Sequence, residues 1–581
     1  MQCEVRECVR KMRGRNASGR ERKGSRGGKE ESKQSEICGG RESVAHSEII
    51  AEALRKTAKG TALAFFGLLL FGILDFASKV LIARHASQAE YGIFSLAFSL
   101  LQICTILSCL GLQAATPRCI AFFRGRGEFE KARSIVFASL QLALIASVLC
   151  GATLFLASPL LTTLFHLPAS ATQIFQIFAV SLPFSVAVEM LASVFRGYDR
   201  VQEKVIFRDI LSNVLKVLFI MSAIALGYAL FGMICAYLLS IIISSLSFTA
   251  YTARKFGGNV SWGIGGEQER TGEMERNVDR EEERKKRISI NENSGGRKKE
   301  LLHFSAPLLV ANLSSLITLR IDILMLGYFI NASVAALYNA AYIINQLLLI
   351  FLNSMIFIYM PISSQLYSMN LFKEMRRCYI IATKWTFSAT FPIFLIIFIF
   401  SEDILRIFFG YSYVPAGEAL RILALGSLIH VFLGPNTTTL ISAGRTKMNM
   451  IDNIIGAATN ISFNFLLIPS IGILGASIAF LASSLIINML KSLQIFLMYR
   501  IHPFGWSYLK PILSSCVLIS LIYLFIKQIP RDTFWSLILF YFIFSATYII
   551  CLIITRSIEA EDMLIFSEIK RRTREMFKSK K

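Results

Sequence analysis

The chain is dominated by apolar runs, most of them about 20 residues or longer. A helix needs roughly 20 apolar residues to cross the ~30 Å hydrocarbon layer of a bilayer, and inside that layer its backbone must satisfy its own hydrogen bonds. Runs of this kind fall near 61–83, 91–115, 134–157, 172–195, 210–228, 229–252, 301–329, 333–361, 379–400, 415–441, 450–468, 471–497, 509–528 and 532–555. They predict an all-α polytopic membrane protein with about 14 transmembrane helices. Composition agrees: hydrophobic residues make up 54% of the 581 residues and charged residues 17%, with a mean hydropathy of +0.55. That is too little charge to wet a soluble protein of this size and too much apolar surface for a disordered one.

The net charge of +22 resembles a nucleic-acid signal until it is located. With the N-terminus placed in the cytoplasm, the inner loops 116–133, 196–209, 362–378, 442–449 and 498–510 carry 16 Lys and Arg, against four in the outer loops. Basic residues in short loops orient helices, so both termini are expected inside, in a plasma membrane, with no nucleic-acid partner. Residues 1–46 lack an apolar core for a signal peptide and read as a disordered basic tail. Residues 47–59 read as an interfacial helix leading into the first span. The eleven cysteines are scattered without a paired CxxC motif or nearby histidines, so neither a disulfide framework nor a metal site is expected.

A charged stretch at 253–300 separates six spans from eight, and landmarks recur across it. Pro117 matches Pro361 at an offset of 244, and Arg133 matches Arg376, Asp209 matches Asp452 and Gly232 matches Gly475 at 243. Six spans per copy make the repeats parallel, a transporter plan with the substrate between the halves. The expected organisation is thus a tail (1–46), a first six-helix half (47–252), a cytoplasmic linker (253–300), a second half (301–500), two extra helices (501–555) and a basic tail (556–581).

Ionisable groups deep in a membrane are costly and mark function. Asp75 and Lys79 lie one helical turn apart in the first span and can pair. Arg320 and Asp322 in the seventh are separated by roughly 200° around the helix, so they cannot share a face. At the repeat offset the two patches fall at one depth. Lys79 and Arg320 are therefore candidates to hold an anion between the halves, with Lys216 of the fifth span beside them and Asp75 and Asp322 as charge-balancing partners. Asn312, with Ser314, Ser315, Asn339, Asn345, Asn460 and Asn464, could meet sugar hydroxyls or tie helices together. Glu189, Lys384, Arg421, Asp452 and Lys491 fall near span ends and read as interfacial, and His430 reads as a packing residue. No nucleotide-binding loop or hydrolase motif is present, so no enzyme activity and no cofactor are expected.

Several stretches resemble a known family. Leu81-Ile-Ala-Arg-His-Ala-Ser-Gln-Ala-Glu-Tyr-Gly-Ile-Phe-Ser is similar to the junction of the first two spans in polysaccharide transporters of the multidrug/oligosaccharidyl-lipid/polysaccharide exporter superfamily. Leu110-Gly-Leu-Gln, Arg124-Gly-Arg-Gly-Glu-Phe-Glu-Lys-Ala, Ser442-Ala-Gly-Arg-Thr-Lys and Leu467-Ile-Pro with Gly472-Ile-Leu-Gly-Ala-Ser resemble later family loops in the same order. The likeness covers about 47–555. It implies an alternating-access flippase that moves a polyprenyl-diphosphate-linked oligosaccharide to the outer leaflet for surface-glycan biosynthesis. On that reading the chain is a monomer among membrane lipids, with glycan polymerases or transferases as partners and Na+ or H+ as an open choice of coupling ion. A cation-coupled multidrug exporter and a lipid II flippase are the alternatives within the superfamily.

Overall fold

In a computed structural model, the structure describes residues 67, 70–198, 200–257, 294–503, 546, 547 and 550. All regular structure among them is helical. The first half contains α1 (70–85), α2 (Gln88–Ser108), α3 (Leu112–Gly125), α4 (Phe129–Leu164), α5 (Ala171–Gly197), α6 (Ser212–Ala225) and α7 (Leu230–Gly257). The second contains α8 (Ser294–Phe329), α9 (Ala332–Asn345), α10 (Ile350–Ser368), α11 (Phe372–Ile399), α12 (Ser401–Phe409), α13 (Gly417–Leu433), α14 (Asn436–Ser442), α15 (Thr446–Ile471) and α16 (Ile473–Tyr499). Ten helical runs among the described residues are long and apolar enough to cross a membrane, so this is a multi-pass membrane protein. The expected first and fifth spans appear as α1 and α6. The spans expected at 509–528 and 532–555, the tails, and the helix expected at 47–59 lie outside the described residues, 546, 547 and 550 apart. Helices enter the expected linker from both sides, to Gly257 and from Ser294.

The repeat is visible in the helix starts. Gln88 and Ala332 are 244 residues apart, Phe129 and Phe372 are 243, and Leu230 and Ile473 are 243. Within each copy, however, the helices break at different places. The second span was read as one run, but it divides at Leu110 and Gly111, both with positive φ (49° and 73°). Gly111 is required there twice over, because a Cβ would also collide with the Ser305 carbonyl of α8. The second half instead breaks about two turns earlier in the repeat, at a 3₁₀ turn, Gln346–Leu349, between α9 and α10. The uninterrupted α4 and α5 correspond to two broken pairs: α11 and α12 separate at Phe400, and α13 and α14 separate at Gly434–Pro435, where proline supplies no N–H to continue the ladder.

The halves meet along α2 and α9. Gly92 lets the two backbones touch, since a Cβ there would overlap the carbonyl oxygen of Ala332. Asn339 of α9 then donates to Ser95 Oγ at 2.8 Å and to Tyr91 Oη at 3.3 Å on α2. At the Ser87 end of α2 a capping box closes the helix, with the Ser87 N–H donating to Glu90 Oε2 at 2.8 Å. There Arg84 Nε donates to the Phe408 carbonyl at 2.8 Å, and its Nη2 to that of Ile407. Gln88 reaches the Ser412 carbonyl at 3.2 Å. Rings of Phe76 and Phe408 (5.1 Å) and of Tyr91 and Tyr413 (6.0 Å) complete this seal between the halves.

Candidate functional site

Four of the ionisable residues singled out from the sequence are gathered around the junction of the halves. Lys79 Nζ contacts Asp75 Oδ2 at 2.6 Å along α1, as the i,i+4 spacing requires. Lys216 comes from α6, with its Nζ 3.4 Å from Asp75 Oδ1 and 2.9 Å from Asn213 Oδ1. A seven-residue π-helical segment, Val205–Leu211, precedes α6 and ends one residue before it. Asn213, which buttresses Lys216, in turn donates to the Asp209 carbonyl at the end of that segment. One carboxylate is thus divided between two lysines from different helices, a pairing that lowers the cost of largely burying the three charges.

Arg320 approaches from α8 and is buried. Its guanidinium lies 5.7 Å from the centroid of Phe98 and 5.3 Å from that of Tyr342. Lys79 Nζ lies 5.4 Å from the same Phe98 ring, so a cation from each half rests on one aromatic side chain of α2. Lys216 Nζ sits 5.0 Å from the Tyr237 ring, and Tyr237 packs on Phe98 at 6.1 Å and Phe178 at 5.8 Å. No carboxylate among the described residues pairs with Arg320, and its Nε is buried without a hydrogen-bond partner. The cluster of Lys79, Lys216, Arg320 and Asp75 therefore carries a surplus of positive charge.

Asp322 lies elsewhere, as the angular separation from Arg320 implies. It is fully buried and accepts hydrogen bonds from Tyr338 Oη at 2.5 Å and Asn464 Nδ2 at 2.6 Å, and Asn464 also donates to Asn460 Oδ1 at 3.0 Å. Asn339 and Asn464 thus tie helices together, and Asn460 donates to Ser483 Oγ of α16 at 3.5 Å. Asn312 is half-buried, two turns before Arg320, and shares no hydrogen bond with the cluster among the described residues.

Three of the groups read as interfacial are buried. Lys491 is 4% exposed and is held by Asn453 Oδ1 at 2.9 Å and Thr437 Oγ1 at 3.0 Å. Asp452 accepts from Gln494 at 2.7 Å, and Lys384 is 6% exposed. The apolar runs end near these positions but the helices do not: α16 continues to Tyr499 and α11 begins at Phe372, so Lys491 and Lys384 sit turns inside their ends. Glu189 and Arg421 form ion pairs, with Arg208 at 2.7 Å and Glu402 at 2.9 Å. The aromatic partners Phe98, Tyr237 and Tyr342 were not anticipated, because 46 Phe and 18 Tyr offer no contrast by which to single them out. Asn213 was legible in principle, one turn before Lys216. Among the described residues, no three His, Cys, Asp or Glu side chains converge on a point where a metal ion could sit.

The chain matches the family model for polysaccharide biosynthesis proteins over residues 57–367 and the MatE model over 307–466. Among curated proteins it is similar to a teichuronic acid biosynthesis protein of Bacillus subtilis, 24% identical over 26% of this chain and 31% of that one. It is also similar to a probable low-salt glycan biosynthesis flippase of Haloferax volcanii, 23% identical over 38% and 48%. The matched region spans about a third to a half of the length of these relatives. In fold, the chain is similar to a lipid II flippase in an inward closed conformation, with a TM-score of 0.62, 14% identity, and coverage of 87% of this chain and 100% of that one. An inward-facing multidrug resistance MATE family transporter gives a TM-score of 0.58 and 17% identity, covering 74% and 94%.

Proposed function

The chain belongs to the polysaccharide biosynthesis protein family, and from that premise we propose that it is a flippase carrying a polyprenyl-diphosphate-linked oligosaccharide from the inner to the outer leaflet of the plasma membrane. The observation that carries this reading is the meeting of Lys79 and Arg320, one from each half, on the face of Phe98, with Lys216 beside them and, among the described residues, one carboxylate, Asp75, in contact with the lysines. Such a lipid has an apolar tail that can remain in the bilayer and a hydrated, anionic head that cannot cross it unaided. Lys79, Lys216 and Arg320 neutralise the diphosphate. Asp75 balances the lysines, Asp322 anchors α8 within the second half, and Asn312 is placed for sugar hydroxyls further along α8.

With both termini cytoplasmic, the seal formed by Arg84, Gln88 and Tyr91 against residues 407–413 lies on the outer side. Opening it while the opposite end closes would turn the head outward. Moving two negative charges out of a negative interior gains about 4–5 kcal/mol per 100 mV if they cross the whole field, so the membrane potential can drive export without nucleotide hydrolysis. A cluster with surplus positive charge also disfavours the cationic cargo of a drug exporter.

The test uses cells lacking the gene, complemented with wild type or Arg320→Ala, with lipid-linked oligosaccharide profiled by leaflet. Cytosol-facing glycolipid should accumulate with the empty vector and with Arg320→Ala, and clear with wild type. Normal export by a well-expressed Arg320→Ala protein would remove Arg320 from the mechanism, and an unchanged profile in the deletion would remove the substrate assignment.

A further inference from the structure

The carboxylate of Asp75 is unevenly shared among the three cations of the cluster. Asp75 contacts both Lys79 and Lys216, through different oxygens. Arg320 has no carboxylate among the described residues, and its Nε has no partner. The first half therefore enters the empty state with its two cations already bound to an internal anion, while the second presents an uncommitted guanidinium. Carboxylate and phosphate oxygens compete for the same ammonium donors, because both accept charge-assisted hydrogen bonds of similar length and geometry.

We infer that Asp75 is a built-in competitor for the anionic head, a carboxylate that occupies Lys79 and Lys216 when the carrier is empty and takes them back when the head leaves. This rests on the reading of the cluster as a diphosphate cradle. Two physical problems make a competitor useful. Two buried cations and one half-buried cation without an internal anion would be costly in the empty carrier. The same three cations would also hold a dianion too tightly to let it go at the outer face. Asp75 reduces both costs with one group. It further sets an order of events. Arg320 meets the head first, since none of its hydrogen-bonding capacity is spent on a carboxylate. The lysines transfer second, their long flexible stems allowing Nζ to leave one oxygen for another without movement of α1 or α6. Release reverses the exchange.

The proposal is tested with full-length protein purified in detergent, using farnesyl diphosphate as a water-soluble prenyl diphosphate probe and measuring its Kd. Asp75→Asn should bind the probe about tenfold or more tightly than wild type, while leaflet-resolved export in cells falls. A gain of affinity coupled to a loss of turnover is a signature that a merely structural carboxylate would not give. Equal or weaker binding by Asp75→Asn, with wild type binding normally, overturns the competitor. Failure of wild type to bind the probe, or unchanged affinity in Arg320→Ala, overturns the cradle itself. Should Asp75→Asn not accumulate, the double variant Asp75→Asn/Lys216→Met is compared with Lys216→Met alone. Tighter binding by the double variant supports the competitor, and equal or weaker binding overturns it.

Discussion

The two halves repeat their helix starts at one offset yet bury polar groups by different chemistry. Asp209 and Asp452 occupy equivalent positions, 243 residues apart. In the first half Asp209 sits among cations, with Lys204 Nζ at 3.5 Å and Arg208 at 3.7 Å. In the second, Asp452 takes its hydrogen bond from the amide of Gln494, and the nearby Lys491 is held by an amide and a hydroxyl. The same contrast holds near the junction, where Asp75 is shared by two lysines and Asp322 is held by a tyrosine and an asparagine. Repeated backbone geometry therefore does not carry repeated electrostatics. At these positions the first half sets its carboxylates against cations, whereas the second holds Asp452 and Asp322 with neutral donors.

That contrast can be broken by substitution. The largest effect on stability is expected at Asp322. Replacing it with Ala strands Tyr338 Oη and the Asn464 amide, at about 1–3 kcal/mol for each buried group left unsatisfied. The midpoint of thermal unfolding in detergent should fall well below that of wild type, and Asp322→Asn, which keeps an acceptor, should recover part of the loss. An unchanged midpoint for Asp322→Ala would show that this network is not what fixes α8. A smaller effect is expected at Lys491. Lys491→Met loses two hydrogen bonds but also removes a buried cation that no carboxylate among the described residues contacts, so stability should change by less than about 1 kcal/mol. A loss as large as that of Asp322→Ala would place Lys491 with the ion pairs of the first half.

The smallest effect is expected at Asp209, in the connection ahead of α6. Burial raises its carboxyl above the usual range, more than Lys204 and Arg208 lower it. A raised carboxyl pKa means that the folded chain favours the protonated form, so this contribution to stability is present at acid pH and lost as pH rises through the raised value. Wild type should therefore gain stability relative to Asp209→Asn as the buffer is acidified from pH 7, read as the difference between their unfolding midpoints. A difference that stays flat as the pH falls would assign Asp209 to a fixed ion pair.

Much of the fold was legible because membrane spanning is a constraint on length. The spans ending in the α4, α5 and α7 region, and the offset of 243 to 244, follow from run lengths and a few landmarks. The charge cluster was legible for a related reason: Asp75, Lys79, Lys216 and Arg320 are expensive where they stand, and expense inside an apolar run is visible without a structure. What was not legible depends on contacts between distant segments. Gly111 marks a break because α8 passes beside it, which no local pattern records. Lys491 looked interfacial because it stands within two turns of the end of its run, and what buries it is contact with Asn453 of α15 and Thr437 of α14. Phe98 was one phenylalanine among many until Lys79 and Arg320 were seen to share it.

The contact between Gly92 and Ala332 has a kinematic consequence. Two backbones that touch without side chains between them define a fixed point, and a rigid half that turns about a fixed point moves each of its atoms in proportion to their distance from it. At 1.5 Å per residue, helix ends roughly 40 Å from Gly92 lie on a long arm. A turn of about ten degrees there sweeps them through some 7 Å, while Tyr91 and Asn339 scarcely shift, so the seal beside Tyr91 opens only when the Gly92–Ala332 contact itself parts.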